Sequence, residues 1–181
     1  MNKYYQLYRV TDEAAAMDTL GVKKLRGPQK KIMPAVYDGR DVFVLLPTGG
    51  GKSLLYQLPA LCEEEGVTLV ISPLIALQQD QVLSLRKRGV EAIAINSHLT
   101  GKERREALEH LGEYSLVYLA PEQLQTEDFL KVIRSVTVNR IAVDESHILP
   151  PGLREDRRIR ISSGRAPTDH GSHRHCDQGR S

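Results

Sequence analysis

The sequence predicts an α/β fold, an open and mainly parallel sheet with helices on both faces. Three observations point there. A glycine-rich turn joins a strand-like run to a helix-like run at residues 41–58. Short apolar runs recur further along with helical stretches between them, the pattern of strands joined by crossover helices. The 181 residues suffice for one domain without help from a disulfide or a structural metal.

Taken in order, residues 1–24 read as an N-terminal extension. Thr11-Asp12-Glu13 offers a cap before Ala14-Ala15-Ala16-Met17, yet no later motif requires anything ahead of Met17, which could itself be the natural start. Pro28 suits the first turn of a helix running to Val36 and ending near Gly39, because a proline there loses no bond it would otherwise make. Pro34 inside that helix predicts a bend or an early stop. Asp41-Val42-Phe43-Val44-Leu45 is the first strand, and Leu54-Leu55-Tyr56-Gln57-Leu58 opens the next helix. Further strands are read at residues 67–71, 92–95, 116–120 and 140–143, and helices from near Pro73, Lys102 and Glu122. The first of these helices ends at Lys87-Arg88-Gly89, cations facing the negative end of the helix dipole and glycine beyond. Together these give five parallel strands, whose ligands belong at their carboxyl ends.

Composition narrows the function classes. Net charge is +2, but residues 151–181 hold seven Arg, no Lys and four acids, so the main body is nearly neutral. Nucleic-acid binding therefore cannot be argued from overall charge and needs a local basic surface. The two cysteines, Cys62 and Cys176, do not form a disulfide framework and suit a reducing cytoplasm. No apolar run reaches transmembrane length, and the N-terminus lacks a signal-peptide core.

The turn Leu46-Pro47-Thr48-Gly49-Gly50-Gly51-Lys52-Ser53 carries the chemistry. Glycines let successive backbone N–H groups converge on an anion at a helix N-terminus, where the dipole also favours negative charge. Thr48, Gly49, Gly50, Gly51, Lys52 and Ser53 are the candidate ATP contacts. Lys52 would reach the β- and γ-phosphates, and Ser53 would ligate Mg²⁺. Leu46 stands where the full phosphate-loop pattern has glycine, so the match covers its second half. The last strand runs into Val143-Asp144-Glu145-Ser146-His147, which puts Asp144, Glu145 and His147 at the same carboxyl edge as catalytic candidates beside Lys52. Asp144 can hold Mg²⁺ opposite Ser53, and Glu145 can orient and deprotonate an attacking water. A kinase or GTPase reading of the loop leaves the Asp144 cluster unexplained.

With these residues in view, the chain resembles the RecQ-type DNA helicases of helicase superfamily 2, whose fourth motif is Asp-Glu-x-His. The resemblance spans residues 25–147. It takes in Leu25-Arg26-Gly27-Pro28-Gln29, the phosphate loop, Tyr56-Gln57-Leu58-Pro59-Ala60-Leu61, Ser72-Pro73-Leu74-Ile75-Ala76-Leu77-Gln78-Gln79-Asp80-Gln81-Val82, Asn96-Ser97 and Tyr118-Leu119-Ala120-Pro121-Glu122. It implies a RecA-like nucleotide-binding fold and the first motor domain of an ATP-dependent 3′-5′ helicase acting on single-stranded or partly duplex DNA. By that resemblance Gln29 reads the adenine edge and Arg26 packs on the adenine ring. The family usually has Arg-Pro-Gly-Gln where this chain has Arg26-Gly27-Pro28-Gln29, and often an aromatic residue at Val22. Ser72, Asn96 and Ser97 are the implied contacts to single-stranded DNA.

The resemblance ends after His147. Residues 149–181 are rich in Arg, Gly, Ser and His, show no helix or strand period, and read as an irregular, disordered tail. His170, His173, His175 and Cys176 invite a metal-site reading. A shifted reading frame explains them otherwise. With codons the genetic code allows, reading one nucleotide forward makes residues 149–155 compatible with Phe-Arg-Pro-Gly-Tyr-Glu. Residues 167–179 likewise become compatible with the family's Ala-Leu-Thr-Ala-Thr-Ala-Thr coupling motif. The expectation is a domain at residues 25–148 that is incomplete, followed by an out-of-frame tail. Such a chain hydrolyses ATP slowly and does not unwind DNA, and its alternative description is a non-catalytic nucleotide-binding remnant.

Overall fold

The computed structural model describes residues 12–47, 49–144 and 158–163, the last of these as backbone only. The elements run α1 (Glu13–Thr19), α2 (Gly27–Tyr37), β1 (Val42–Leu45), α3 (Leu54–Leu61), β2 (Val67–Ile71), α4 (Ile75–Arg86) and β3 (Ala92–Ile95), then α5 (Gly101–Glu109), β4 (Leu116–Leu119), α6 (Glu127–Ile133), β5 (Val138–Asp144) and β6 (Arg158–Ser163). They build one sheet in the order β1-β6-β5-β2-β4-β3.

Four of the five expected strands form a parallel block, with β2 between β5 and β4, and β3 beyond β4. Alternation along each strand divides the core into two layers. Val70 and Tyr118 face one side, where α1, α2, α3 and α4 pack with Met33, Leu55 and Leu85. Leu69 and Val117 face the other, covered by α5 and α6 through Leu108 and Phe129. The glycine turn after β1 and the end of β5 both lie at the carboxyl edge.

Two boundaries differ from the sequence reading. The segment expected to lack strand period contributes β6, antiparallel to both neighbours: Val44 and Asp144 each pair with Ile159, and Leu45 pairs with Arg158. So β1 meets the parallel block only through β6, and five contiguous parallel strands do not occur. The alternation Arg158-Ile159-Arg160-Ile161 is the short β-branched signal that composition obscured, and a slot between two strand edges gives it ladder partners on both sides. The rest of the tail, including its histidines and Cys176, lies outside the described residues.

The second correction concerns residues 12–24, which are part of the domain. Asp12 caps α1 by accepting from Ala15 N at 3.0 Å, and Ala16 is fully buried in the layer formed with α3. A chain starting at Met17 would lack that contact.

Pro34 does not end α2, which continues to Tyr37. Both Pro34 and Lys30 are exposed, so the carbonyl deprived of its donor one turn back faces water. The helix expected from Glu122 divides instead into a 3₁₀ turn (Pro121–Gln125) and α6, separated by Thr126. Arg104 from α5 donates to Gln123 Oε1 and to Thr126 Oγ1, pinning the break.

Candidate nucleotide-binding site

The turn after β1 has the backbone a phosphate cradle requires. Gly49 and Gly51 adopt φ of 74° and 73°, a left-handed region costing an L-residue roughly 1–2 kcal/mol. Between them, a Cβ on Gly50 would lie 2.8 Å from the Pro47 carbonyl oxygen. Lys52 Nζ donates to the Leu46 carbonyl at 3.1 Å, which holds the ammonium across the turn. Thr48 lies outside the described residues.

The Arg26–Gln29 segment braces this turn from α2. Arg26 Nη1 donates to the Gly49 carbonyl at 2.6 Å, and Gln29 Nε2 to the Gly51 carbonyl at 3.0 Å. Gln29 Oε1 also accepts from Arg26 N at 2.7 Å, and Gln29 is only 3% exposed. The resemblance implied a base-reading amide and a base-stacking guanidinium. Here both side chains are engaged on the loop's own carbonyls, Gly51 O also accepting from Leu54 N at 3.3 Å.

Asp144 ends β5 and is 8% exposed. Tyr56, in the first turn of α3, donates its hydroxyl to Asp144 Oδ2 at 2.9 Å. Ser53 precedes Tyr56 by three residues, so the two share a helix face, and the bond turns the Ser53 side of α3 toward Asp144. Ser53 N-caps α3 without spending its side chain on a cap hydrogen bond. A serine hydroxyl and a carboxylate are hard oxygen donors suited to Mg²⁺. Among the described residues no group of three or more His, Cys, Asp or Glu side chains could hold a metal by itself, so a cation here would complete its shell with phosphate oxygens and water, as Mg²⁺ commonly does. Glu145 and His147 lie outside the described residues.

Sequence reasoning missed the polar chain behind Asp144. Tyr56 and Tyr118 meet edge to face with centroids 6.4 Å apart. Gln57 Nε2 donates to Tyr118 Oη at 3.0 Å and to Gln81 Oε1, on α4, at 2.8 Å. Burial pushes both phenols up, and the nearby Asp144 charge adds to it, so both stay protonated. The available signal was the spacing of Tyr56 from Ser53, which reads equally well as core helix.

The expected DNA contacts separate into two kinds. Ser72 and Asn96 are buried at 2% and 3% exposure. Gln78 Nε2 donates to the Ser72 carbonyl at 2.7 Å, Asn96 Nδ2 donates to Gln78 Oε1 at 3.0 Å, and Asn96 Oδ1 accepts from His98 N at 3.0 Å. These residues knit the carboxyl ends of β2 and β3 to α4. Ser97 alone of the three is exposed. A groove of about 720 Å³ between α4, β3 and α5 lies at the sheet edge opposite the glycine turn. Glu91, Glu103, Glu106 and Glu113 line it against Arg86, His98 and His110, a net acidic lining that disfavours nucleic-acid phosphates.

A DEAD/DEAH box helicase family model matches residues 26–162, which take in the braced glycine turn and Asp144. The chain belongs to the DEAD/DEAH box helicase family. Within this family, its similarities run to RecQ-type proteins. It is 41% identical over 130 residues to the probable ATP-dependent DNA helicase RecS of Bacillus subtilis, covering 71% of this chain and 26% of the relative. It is 43% identical over 141 residues to the ATP-dependent DNA helicase RecQ of Synechocystis, covering 76% and 29%. The chain thus spans a little over a quarter of each. Its fold matches the crystal structure of the DUF1998 helicase MrfA with a TM-score of 0.62 at 21% identity, over 82% of this chain and 24% of that one. That is the RecA-like helicase fold. Among the described residues no helix is long and apolar enough to cross a membrane.

Proposed function

We propose that this chain is the first motor domain of a RecQ-type ATP-dependent DNA helicase, binding Mg-ATP at the glycine turn and single-stranded DNA along the carboxyl edge of its sheet. The observation that carries this reading is the Tyr56–Asp144 bond of 2.9 Å. It holds a carboxylate against the helix that starts at Ser53, so phosphate cradle and cation ligand share one edge. The names of the relatives, ATP-dependent DNA helicases, supply the substrate class.

In this reading the backbone N–H groups of the turn and Lys52 bind the β- and γ-phosphates. Ser53 and Asp144 hold Mg²⁺, which when bound neutralises charge developing on the phosphate oxygens. Glu145, one residue beyond Asp144, orients the attacking water as general base, with His147 beside it. Arg26 and Gln29 keep the turn in shape and contribute to adenine recognition. Ser97, with backbone near Ser72 and Asn96, contacts DNA phosphates. An arginine from a second motor domain is typically worth about 10³–10⁵ in rate, so hydrolysis by this domain without one is slow. Residues 149–181 are read as out of frame; nucleotide sequence that does not continue into a second motor domain one base forward of codon 148 rejects this.

Phosphate release and binding of a fluorescent ATP analogue by the full chain test the function. The expected result is Mg²⁺-dependent binding that weakens at least about tenfold in Lys52→Ala, and slow hydrolysis stimulated by single-stranded DNA that vanishes in Glu145→Gln. Binding indifferent to Lys52→Ala overturns the nucleotide reading. Hydrolysis without DNA stimulation favours the remnant, a nucleotide-binding module uncoupled from DNA.

A further inference from the structure

We propose that Tyr56 is the positioning residue for the Asp144 carboxylate, fixing its orientation for the cation held with the nucleotide. The inference rests on the reading of Asp144 as a Mg²⁺ ligand and extends it to a side chain with no cation contact of its own.

A carboxylate has two oxygens, and a ligand that swings about its Cβ–Cγ bond must be stilled before it binds metal. Partners behind a metal ligand serve that purpose, and losing one typically weakens metal affinity about 10–100-fold. At Asp144, Oδ2 accepts from the Tyr56 hydroxyl at 2.9 Å, and Asp144 is 8% exposed. Tyr56 is itself immobile. Its ring is fully buried, set edge to face against Tyr118, on a helix whose eight residues are all buried. Since Ser53 and Tyr56 share a face of α3, one helix presents the hydroxyl ligand directly and orients the carboxylate ligand through a hydrogen bond. Any displacement of α3 moves both. The chain continues through Tyr118, Gln57 and Gln81 to α4, whose Gln78 bonds the Ser72 carbonyl and the Asn96 side-chain amide. The carboxylate is thereby tied to the same helix as the DNA-facing edge.

The test compares two identical chemical changes, Tyr56→Phe and Tyr118→Phe, in the full chain. Each removes one buried hydroxyl, but the Tyr56 hydroxyl donates to Asp144 whereas the Tyr118 hydroxyl accepts from Gln57. The readout is the Mg²⁺ concentration at half-maximal binding of a fluorescent ATP analogue, with the melting temperature and metal-free analogue binding measured alongside. The expected result is a rise of about tenfold in that concentration for Tyr56→Phe, an unchanged value for Tyr118→Phe, and no change in metal-free binding for either. Equal shifts in both variants, or none in Tyr56→Phe, overturn the proposal. Asp144→Asn separates the premises. If it leaves the Mg²⁺ dependence untouched, the metal reading and the proposal fall together; if it shifts the dependence while Tyr56→Phe does not, only the positioning role falls.

Discussion

Gln29 Nε2 donates to the carbonyl of Gly51 at 3.0 Å, and a Cβ on Gly51 would clash with that same amide nitrogen. The glycine is needed twice over, for its φ of 73° and for the approach of α2. Gly51→Ala is expected to destabilise the chain by about 2–4 kcal/mol, the sum of left-handed strain and overpacking. Gln29→Ala in the same chain should return the steric share and leave the strain of about 1–2 kcal/mol. Urea unfolding of the single and double variants measures both; an additive pair would deny the contact.

Asn96 and Ser97 are neighbours with opposite duties. Asn96→Ala leaves Gln78 Oε1 and the His98 N–H without the partners they have at 3.0 Å, and is expected to cost about 2–3 kcal/mol. Ser97→Ala, at an exposed position, should stay within about 0.5 kcal/mol. Reduced DNA affinity in Ser97→Ala at unchanged stability would support its phosphate contact, and thermal melts beside fluorescence anisotropy report the two quantities.

Glu63 anchors Arg140, with Glu63 Oε1 2.6 Å from the guanidinium and side-chain exposures of 22% and 8%. Arg140 Nε has no partner in the described structure, so the guanidinium depends on this carboxylate. Glu63→Ala is expected to cost about 2–3 kcal/mol, less than the roughly 3–5 of a fully buried pair because Glu63 is still partly wet. Glu63→Gln, which keeps an acceptor, should cost less in the same denaturation experiment.

His110 titrates above its ordinary 6.5, mainly because Glu113 accepts from its ring nitrogen at 2.8 Å. A raised folded-state value means the interaction is fully present below the unfolded value, near 6.5, and is lost as pH rises through the folded one. Both side chains are about half exposed, so salt should weaken the effect. NMR titration of the His110 ring should give a value above 6.5 that falls back in Glu113→Gln.

Much of this architecture was legible locally. The bounds of β2 and β3 follow from continuous apolar runs, since strands buried on both faces need no polar alternation. The turn at residues 46–53 and the carboxylate at Asp144 were readable because cradling an anion demands glycine at particular steps and a strand end to hold the acid. Contacts between distant segments were not legible. Gln29 and Gly51 are 22 residues apart and Tyr56 and Asp144 are 88 apart, and no local rule says which donor meets which acceptor.

By itself, then, the chemistry of the chain determined an α/β sheet, a phosphate-binding turn and an acidic strand end, because each depends on backbone needs that particular residue types meet locally. Only the tertiary structure decided that Arg26 and Gln29 brace the turn, that Ser72 and Asn96 are internal, that Ala16 belongs to the core and that residues 158–163 close the gap between β1 and β5. The physical reason is that a hydrogen-bonding group is satisfied by whichever partner packing brings within about 3 Å, and packing is a property of the whole chain.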